Sequence, residues 1–324
     1  MDHDDRGAFS DLSRPPLRAA DLRRALTTAQ PGRDGAAWRA LDVVASTGST
    51  NADVAARARA GEPEGYVLLA DHQDAGRGRM ARTWVAPPRS SLAVSVLLRP
   101  GAGDGGTPVP GERWGWVGLL AGLAVTDALR RTCGVQAVLK WPNDVLVPDG
   151  GALAAPVGSP ASRERDVPQL RKVCGLLAEA VVEAGAEASS GAVVVGIGLN
   201  VSQTEAELPV PTATSLAIAG AAVSDRDTVA RAVLRALRER YSVWRRAGGD
   251  VVASGTLDDY RAACVTLGAQ VRVETPSGAS VTALEGVAVD VDEEGRLLVD
   301  VEGTRRVLAA GDVVRVRGVG GAYG

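Results

Sequence analysis

Residues 75–84, AGRGRMARTW, place three arginines, two glycines and a closing tryptophan in ten positions. Guanidinium groups at this density suit an anion, and glycines let the backbone come close to it. Three readings fit such a loop: a nucleic-acid grip, a phosphate cradle or a solvated turn. A second stretch, KWPND (140–144), sets Lys140, Asn143 and Asp144 at a predicted strand end. There a cation, an amide and a carboxylate can converge on a ligand, or simply make a turn. The third feature is a scarcity: of 36 basic residues only Lys140 and Lys172 are lysines. Drift in an arginine-rich chain leaves such a remainder by chance. Alternatively, these positions need what a planar guanidinium cannot supply, a compact ammonium with rotatable donors.

Composition removes several classes of function. The net charge of −3 leaves no general basic excess for a polyanion, so any basic site is local. Two histidines, His3 and His72, are too few for a zinc cluster or a Ser-His-Asp triad. Cys133, Cys174 and Cys264 form no CxxC pair, and their odd number argues for a reducing cytoplasm. The N-terminus has no apolar signal region and no apolar run reaches the length of a membrane span, so neither secretion nor membrane insertion is expected. VVVGIGLN (193–200) reads as a strand with a Gly-x-Gly turn but lacks the third glycine of a dinucleotide fingerprint, and no GxxxxGK[ST] loop occurs.

The elements that must position these residues follow from pattern. A polar, arginine-rich arm (1–40) with one short helix near Ala19 to Leu26 is too small for a DNA-reading helix-turn-helix. From Leu41 the chain alternates strand and helix: LDVVAS is a strand, Ser49 or Thr50 caps an alanine-rich helix, and GYVLLADHQ and SLAVSVLLRP are further strands. Residues 112–131 are apolar almost all round and predict a central helix, and AVLKWPND predicts a strand ending in a turn. A mobile insert (148–168) separates that hairpin from two neighbouring central strands, KVCGLLAEAVVE and GAVVVGIGLNV. Ser224 with Asp227 is expected to cap a long amphipathic helix whose inner face is Val229, Val233, Leu237, Tyr241 and Trp244. Beyond Cys264, short valine-rich strands with PSG, DEEG and EGT turns predict a small antiparallel barrel.

STN (49–51), QxxGRGRxxRxW (73–84), KWPND (140–144), RKVCGLL (171–177), GIGLN (196–200) and ATSL (213–216) occur in this order. Together, from about Leu41 to the C-terminus, they resemble the biotin protein ligases, of the monofunctional kind without a DNA-binding domain. The resemblance implies an α+β fold: a mixed-sheet catalytic domain like that of class II aminoacyl-tRNA synthetases (41–265), binding biotin and ATP, followed by an SH3-like barrel (266–324). It implies two steps. The biotin carboxylate attacks the α-phosphate of ATP to give biotinyl-5'-adenylate and pyrophosphate, and a lysine ε-amine of a biotin carboxyl carrier protein then displaces AMP.

The resemblance also assigns roles. Lys172 lies between the biotin carboxylate and the α-phosphate and, with Arg79, is catalytic. Ser49, Thr50, Asn51 and Gln73 read the ureido end and carboxylate of biotin, with Arg77, Gly78, Gly196 and Gly198 completing its pocket. Gly76, Arg77, Arg79, Arg82, Trp84, Lys140, Asn143 and Asn200 face the nucleotide. Magnesium arrives with ATP and no side-chain metal site is expected. Arg77, Arg79 and Arg82 would offset the repulsion between two anions, Gly76 and Gly78 would bring backbone amides to the ligand, and Trp84 would offer a flat face to adenine or close the loop. Met80 and Ala81 depart from the arginine or glycine frequent in relatives. The expected partner is a carrier domain of acyl-CoA carboxylases, not DNA or membrane, and the protein a cytoplasmic monomer or weak homodimer. A lipoate ligase or octanoyltransferase of the same fold is the alternative. A nucleic-acid-binding module ranks last, because the barrel segment is acid-rich and poor in aromatics.

Overall fold

The computed structural model describes residues 13–27, 37–80, 82–102, 107–149, 169–182, 191–277, 280–309, 312–318 and 321–323. His3, Ala81 and the insert from residue 150 to 168 lie outside them. Seven strands form one mixed sheet: β1 (Ala40–Val44), β2 (Tyr66–Ala70), β5 (Ser91–Leu98), β6 (Val138–Lys140), β7 (Asp144–Pro148), β8 (Leu170–Val181) and β9 (Ala192–Asn200). Their spatial order is β1-β2-β5-β9-β8-β7-β6. Only β1 and β2 run parallel; the other neighbours are antiparallel, as hairpins and long returns dictate. A separate two-stranded ribbon, β3 (Gly76–Arg77) with β4 (Thr83–Trp84), carries the arginine loop.

Helices cover the two faces unequally. On one face α2 (Thr50–Arg59) packs Val54, Ala55 and Ala58 onto Tyr66, Leu68, Leu97 and Val194. Ser49 is its N-cap, with Oγ accepting from Ala52 N–H. On the other face lie α3 (Trp116–Ala128) and α4 (Arg226–Arg246), within the main core. Nearly every residue of α3 is buried, and Gly118 and Gly122 let it approach Ala178, Leu139 and Leu176 closely. The inner face expected of α4 is fully buried, but its N-cap is Asp225, whose side chain accepts from Thr228 N–H, not the expected Ser224/Asp227 pair. Asp227 turns inward instead and accepts from Arg18.

The N-terminal segment is more than an arm where it is described. Helix α1 (Ala19–Thr27) seats Leu22 and Leu26 in the main core beside Leu17 and Trp38. Arg226 reaches Pro15 O, and Arg14 pairs with Glu207. Sequence pattern does not reveal this packing because four apolar residues spread over 22 positions make a weak periodic signal.

After α5 (Thr256–Ala263) comes a six-stranded antiparallel sheet of β10 (Gln270–Ser277), β11 (Ser280–Val291), β12 (Leu297–Val301), β13 (Thr304–Leu308), β14 (Asp312–Gly318) and β15 (Gly321–Tyr323), ordered β13-β12-β11-β10-β14-β15. It is the expected SH3-like domain. Its β11–β12 turn docks on the large domain: Trp116 Nε1 donates to Glu293 O at 2.8 Å and Trp141 Nε1 to Gly295 O at 3.1 Å.

Candidate functional site

A strip of small residues crosses the middle of the large sheet. Register places Gly198 of β9 between Gly175 of β8 and Ala93 of β5, and Gly196 between Leu177 and Ser95. Above this strip is a cavity of about 500 Å³, a volume suited to a small ligand. Of the sixteen residues singled out from sequence, fifteen line it: Ser49, Thr50, Asn51, Gln73, Arg77, Gly78, Arg79, Arg82, Trp84, Lys140, Asn143, Lys172, Gly196, Gly198 and Asn200. Gly76 stands outside, lining an adjoining open groove that shares Arg77, Arg79, Arg82 and Asn143 with the cavity.

One end of the cavity is cationic. A bulge between Val145 and Leu146 of β7 pairs Cys174 and Lys172 with consecutive partners and leaves Val173 out of register. Such a bulge re-aims a side chain. The Lys172 ammonium lies over Gly175, where an added Cβ would come within 3.0 Å of Nζ, so the glycine of KVCG makes room for the lysine. Lys172 Nζ is 2.6 Å from Asp144 Oδ1, a close contact without hydrogen-bond alignment. Asp144 therefore neutralises the ammonium without locking it. Lys140 is buried, and that burial pulls its ammonium below the ordinary lysine value; Asp144 opposes the change, while Lys172 and Arg82 add to it. Burial likewise lowers Arg79, with Arg82 nearby adding to the effect. Four cations face one carboxylate here, an arrangement built to receive negative charge.

The arginine loop is a hairpin. Gly76 pairs with Trp84 and Arg77 with Thr83, and Gly78 N–H donates to Arg82 O at 2.7 Å. That last bond takes up the Gly78 amide within the hairpin. Gly76 is required for another reason: a Cβ there would sit 2.5 Å from Trp84 O. Trp84 turns into the cavity, and its ring lies against Gly198 and Gly175 with Nε1 buried and without a hydrogen-bond partner.

The opposite end is neutral and polar. Gln73 Oε1 accepts from Thr50 N–H at 2.8 Å, and Thr50 Oγ1 lies 2.9 Å from it. Asn51 covers Gly196, leaving no room for a Cβ. Asn200 is taken up by the framework: Nδ2 donates to Thr214 O and Oδ1 accepts from Gln203 Nε2, both at 2.9 Å. Asn143 Nδ2 donates to Leu176 O at 3.0 Å. The ATSL stretch lies alongside Lys172, whose N–H donates to Thr212 O and whose carbonyl accepts from Thr214 N–H. Sequence reasoning gave Asp144 no firm role and did not reach Ser95, Glu179 or Pro209, Val210 and Thr212. Only the KWPND motif offered a signal, and that for Asp144 alone.

Both domains match known protein families. Residues 43–200 match the biotin/lipoate A/B protein ligase family and 266–316 the biotin protein ligase C-terminal domain. A biotin--acetyl-CoA-carboxylase ligase of Mycobacterium tuberculosis is 42% identical over 314 residues, 95% of this chain and 98% of that protein. A bifunctional ligase/repressor of Bacillus subtilis is 36% identical over 106 residues, 33% of this chain and 30% of its own length. The biotin protein ligase of Aquifex aeolicus, solved with biotin and ATP, superposes at a TM-score of 0.58 with 24% identity, covering 85% of this chain and 97% of its own. With the near-complete span of the mycobacterial relative, both matched domains and the cationic and polar ends facing one cavity, the chain belongs to the biotin protein ligase family.

Proposed function

We propose that this cavity is where the chain, an ATP-dependent biotin protein ligase, forms biotinyl-5'-adenylate and passes the biotinyl group to a lysine of a biotin carboxyl carrier protein. The observation that carries the assignment is the placement of Lys172, Lys140, Arg79 and Arg82 at one end of a single cavity and of Ser49, Thr50, Asn51 and Gln73 at the other. A ligand with a neutral polar head and a carboxylate tail fits that polarity.

In the first step a biotin carboxylate oxygen attacks the α-phosphorus, the bond to the bridging oxygen breaks, and pyrophosphate leaves. Two anions must meet, and the four cations lower the cost of bringing them together. Lys172 exchanges its loosely aligned contact with Asp144 for the incoming oxygens. Its compact ammonium can touch a carboxylate and a phosphate oxygen at once. In the second step the acceptor's neutral ε-amine attacks the carbonyl carbon, AMP departs and the amine sheds a proton. Trp84 lies on the same side of the strip as Lys172 and is placed to stack on the adenylate once it swings off Gly175 and Gly198. Asn200 acts by holding the 213–216 stretch beside Lys172.

Among the described residues no group of three or more His, Cys, Asp or Glu could hold a metal ion. Among them Asp144 is the one carboxylate lining the cavity, and with Asn143 it could hold an ion carried in by polyphosphate. Magnesium held there would shield the phosphate charge. No helix among the described residues is long and apolar enough to cross a membrane. The three buried free cysteines support a reducing, cytoplasmic setting, and the net charge of −3 supports a protein acceptor over DNA. A monomer or weak homodimer completes the reading.

The test is incubation with ATP, magnesium and labelled biotin, following pyrophosphate and label transfer to a carrier domain. Biotin-dependent release and transfer are expected. Release on lipoate but not on biotin would overturn the assignment.

A further inference from the structure

Behind the residues that line the polar end, three elements meet on one side chain. Asn51 of α2 is 4% exposed, Ser95 of β5 is fully buried, and Glu179 lies on β8. Asn51 Nδ2 is 2.8 Å from Glu179 Oε2 and 3.3 Å from Leu177 O. An ionised carboxylate and a backbone carbonyl can only accept, so both amide hydrogens point that way and the amide oxygen must face Ser95, whose Oγ is 2.6 Å from it. The orientation of Asn51 is thus fixed by the chemistry of its neighbours.

The consequence passes along a chain of oxygens. The single hydroxyl hydrogen of Ser95 is committed to Asn51 Oδ1. Ser95 Oγ is also 2.8 Å from Thr50 Oγ1, and Thr50 Oγ1 is 2.9 Å from Gln73 Oε1. Thr50 has one hydrogen for those two contacts. Three short oxygen–oxygen contacts therefore share two hydroxyl hydrogens; Thr50 N–H also donates to Gln73 Oε1, but one contact keeps no hydrogen between its oxygens, and the end of the chain that faces the cavity has acceptor capacity left over. A ligand N–H directed at Thr50 Oγ1 or Gln73 Oε1 supplies what is missing. A cyclic urea carries such N–H groups; a dithiolane or an alkyl chain does not. Were Asn51 free to rotate its amide, Ser95 could donate to Thr50 and the shortage would vanish.

We propose, on the footing of the ligase reading above, that Ser95 and Glu179 are positioning residues that hold this corner in the acceptor polarity selecting the urea head of biotin over heads without N–H. Neither touches the ligand; both act through Asn51.

The experiment is steady-state pyrophosphate release with Ser95→Ala, Glu179→Leu and Glu179→Gln, reading the KM for biotin, the KM for ATP and kcat, with thermal melting as a folding control. Ser95→Ala and Glu179→Leu are expected to raise the biotin KM about tenfold, the size of one lost buried hydrogen bond, with the ATP KM and kcat within about twofold. Glu179→Gln keeps an acceptor and is expected to stay within about threefold of the parent. A biotin KM within about twofold for both Ser95→Ala and Glu179→Leu overturns the proposal. So does equal loss in Glu179→Leu and Glu179→Gln, or a joint rise of the biotin and ATP KM values. If Glu179→Leu fails to fold, Ser95→Ala and Glu179→Gln decide the matter by the same criteria. Absence of biotin-dependent release from the unsubstituted protein overturns the ligase reading, and this proposal with it; normal release with unaffected variants overturns the proposal alone.

Discussion

Along β5, Leu92, Val94, Val96 and Leu98 join the core under α3 and α4, while Ala93 borders the ligand cavity and Ser95 bonds to Asn51. The same alternation divides the whole sheet. Its side under α3 and α4 is built of large apolar groups in contact, where each methylene contributes to stability. The cavity side keeps glycines where side chains would fill the pocket and gathers Lys140, Lys172, Arg79 and Arg82 near Asp144, the one carboxylate among the described residues that line it. That second arrangement costs stability in the empty protein, because like charges are close and two of them are partly desolvated. One side of the sheet is shaped by packing; the other is shaped by what it will bind.

The sharpest way to separate the two sides is to change each and ask which property moves. Lys172→Arg keeps the charge but replaces a compact ammonium with a planar fork, so adenylate formation should fall by about 100-fold or more at an unchanged melting temperature. Near-normal pyrophosphate release would show that the lysine is misassigned. Leu123→Ala, on α3 and 2% exposed, should do the reverse: a loss of about 2–5 kcal/mol in denaturant unfolding, with biotin and ATP KM values unaltered.

Gly76→Ala tests the border between the two sides. Its Cβ would meet the Trp84 carbonyl at 2.5 Å, so the hairpin must open at its base and adenylate formation should drop about tenfold. Because the hairpin adds little to the core, melting should shift by no more than about 2 °C. A stable, fully active variant would mean that the hairpin's closed form is not needed.

The smallest effect concerns Lys140. Its ammonium is held below the ordinary lysine value in the folded protein, so from that lowered value up to the ordinary 10.5 the unfolded chain binds the extra proton and stability rises with pH. Lys140→Met should remove that rise, raise the melting temperature of the empty protein at neutral pH by about 2–4 °C, and weaken ATP binding. A stability profile that does not rise as the pH climbs toward 10.5 would argue against a desolvated ammonium.

Much of this was legible in sequence, and unevenly so. The longer strands and helices of the large domain announce themselves because they carry apolar runs or a single apolar face over five or more residues, as Val229, Val233, Leu237, Tyr241 and Trp244 do on α4. The site's reactive groups were legible because arginine, lysine, glycine and tryptophan at fixed spacing form local motifs. The N-terminal packing was not, since Leu17, Leu22, Leu26 and Trp38 are too sparse to set a period. The cap of α4 was misplaced by one residue because Ser224, Asp225 and Asp227 are all competent caps and only the packing of Asp227 against Arg18 decides.

By itself, then, the sequence determined the order of elements, the two domains, and the side chains that gather at one cavity, because these depend on periodicity and on residue type. The tertiary structure alone decided what depends on register and on partners distant in the chain. A bulge at Val173 turns Lys172 over Gly175. Three strands line up Gly175, Gly198 and Ala93 under the cavity. Ser95 and Glu179, 44 and 128 positions from Asn51, meet its side chain and fix which way its amide points.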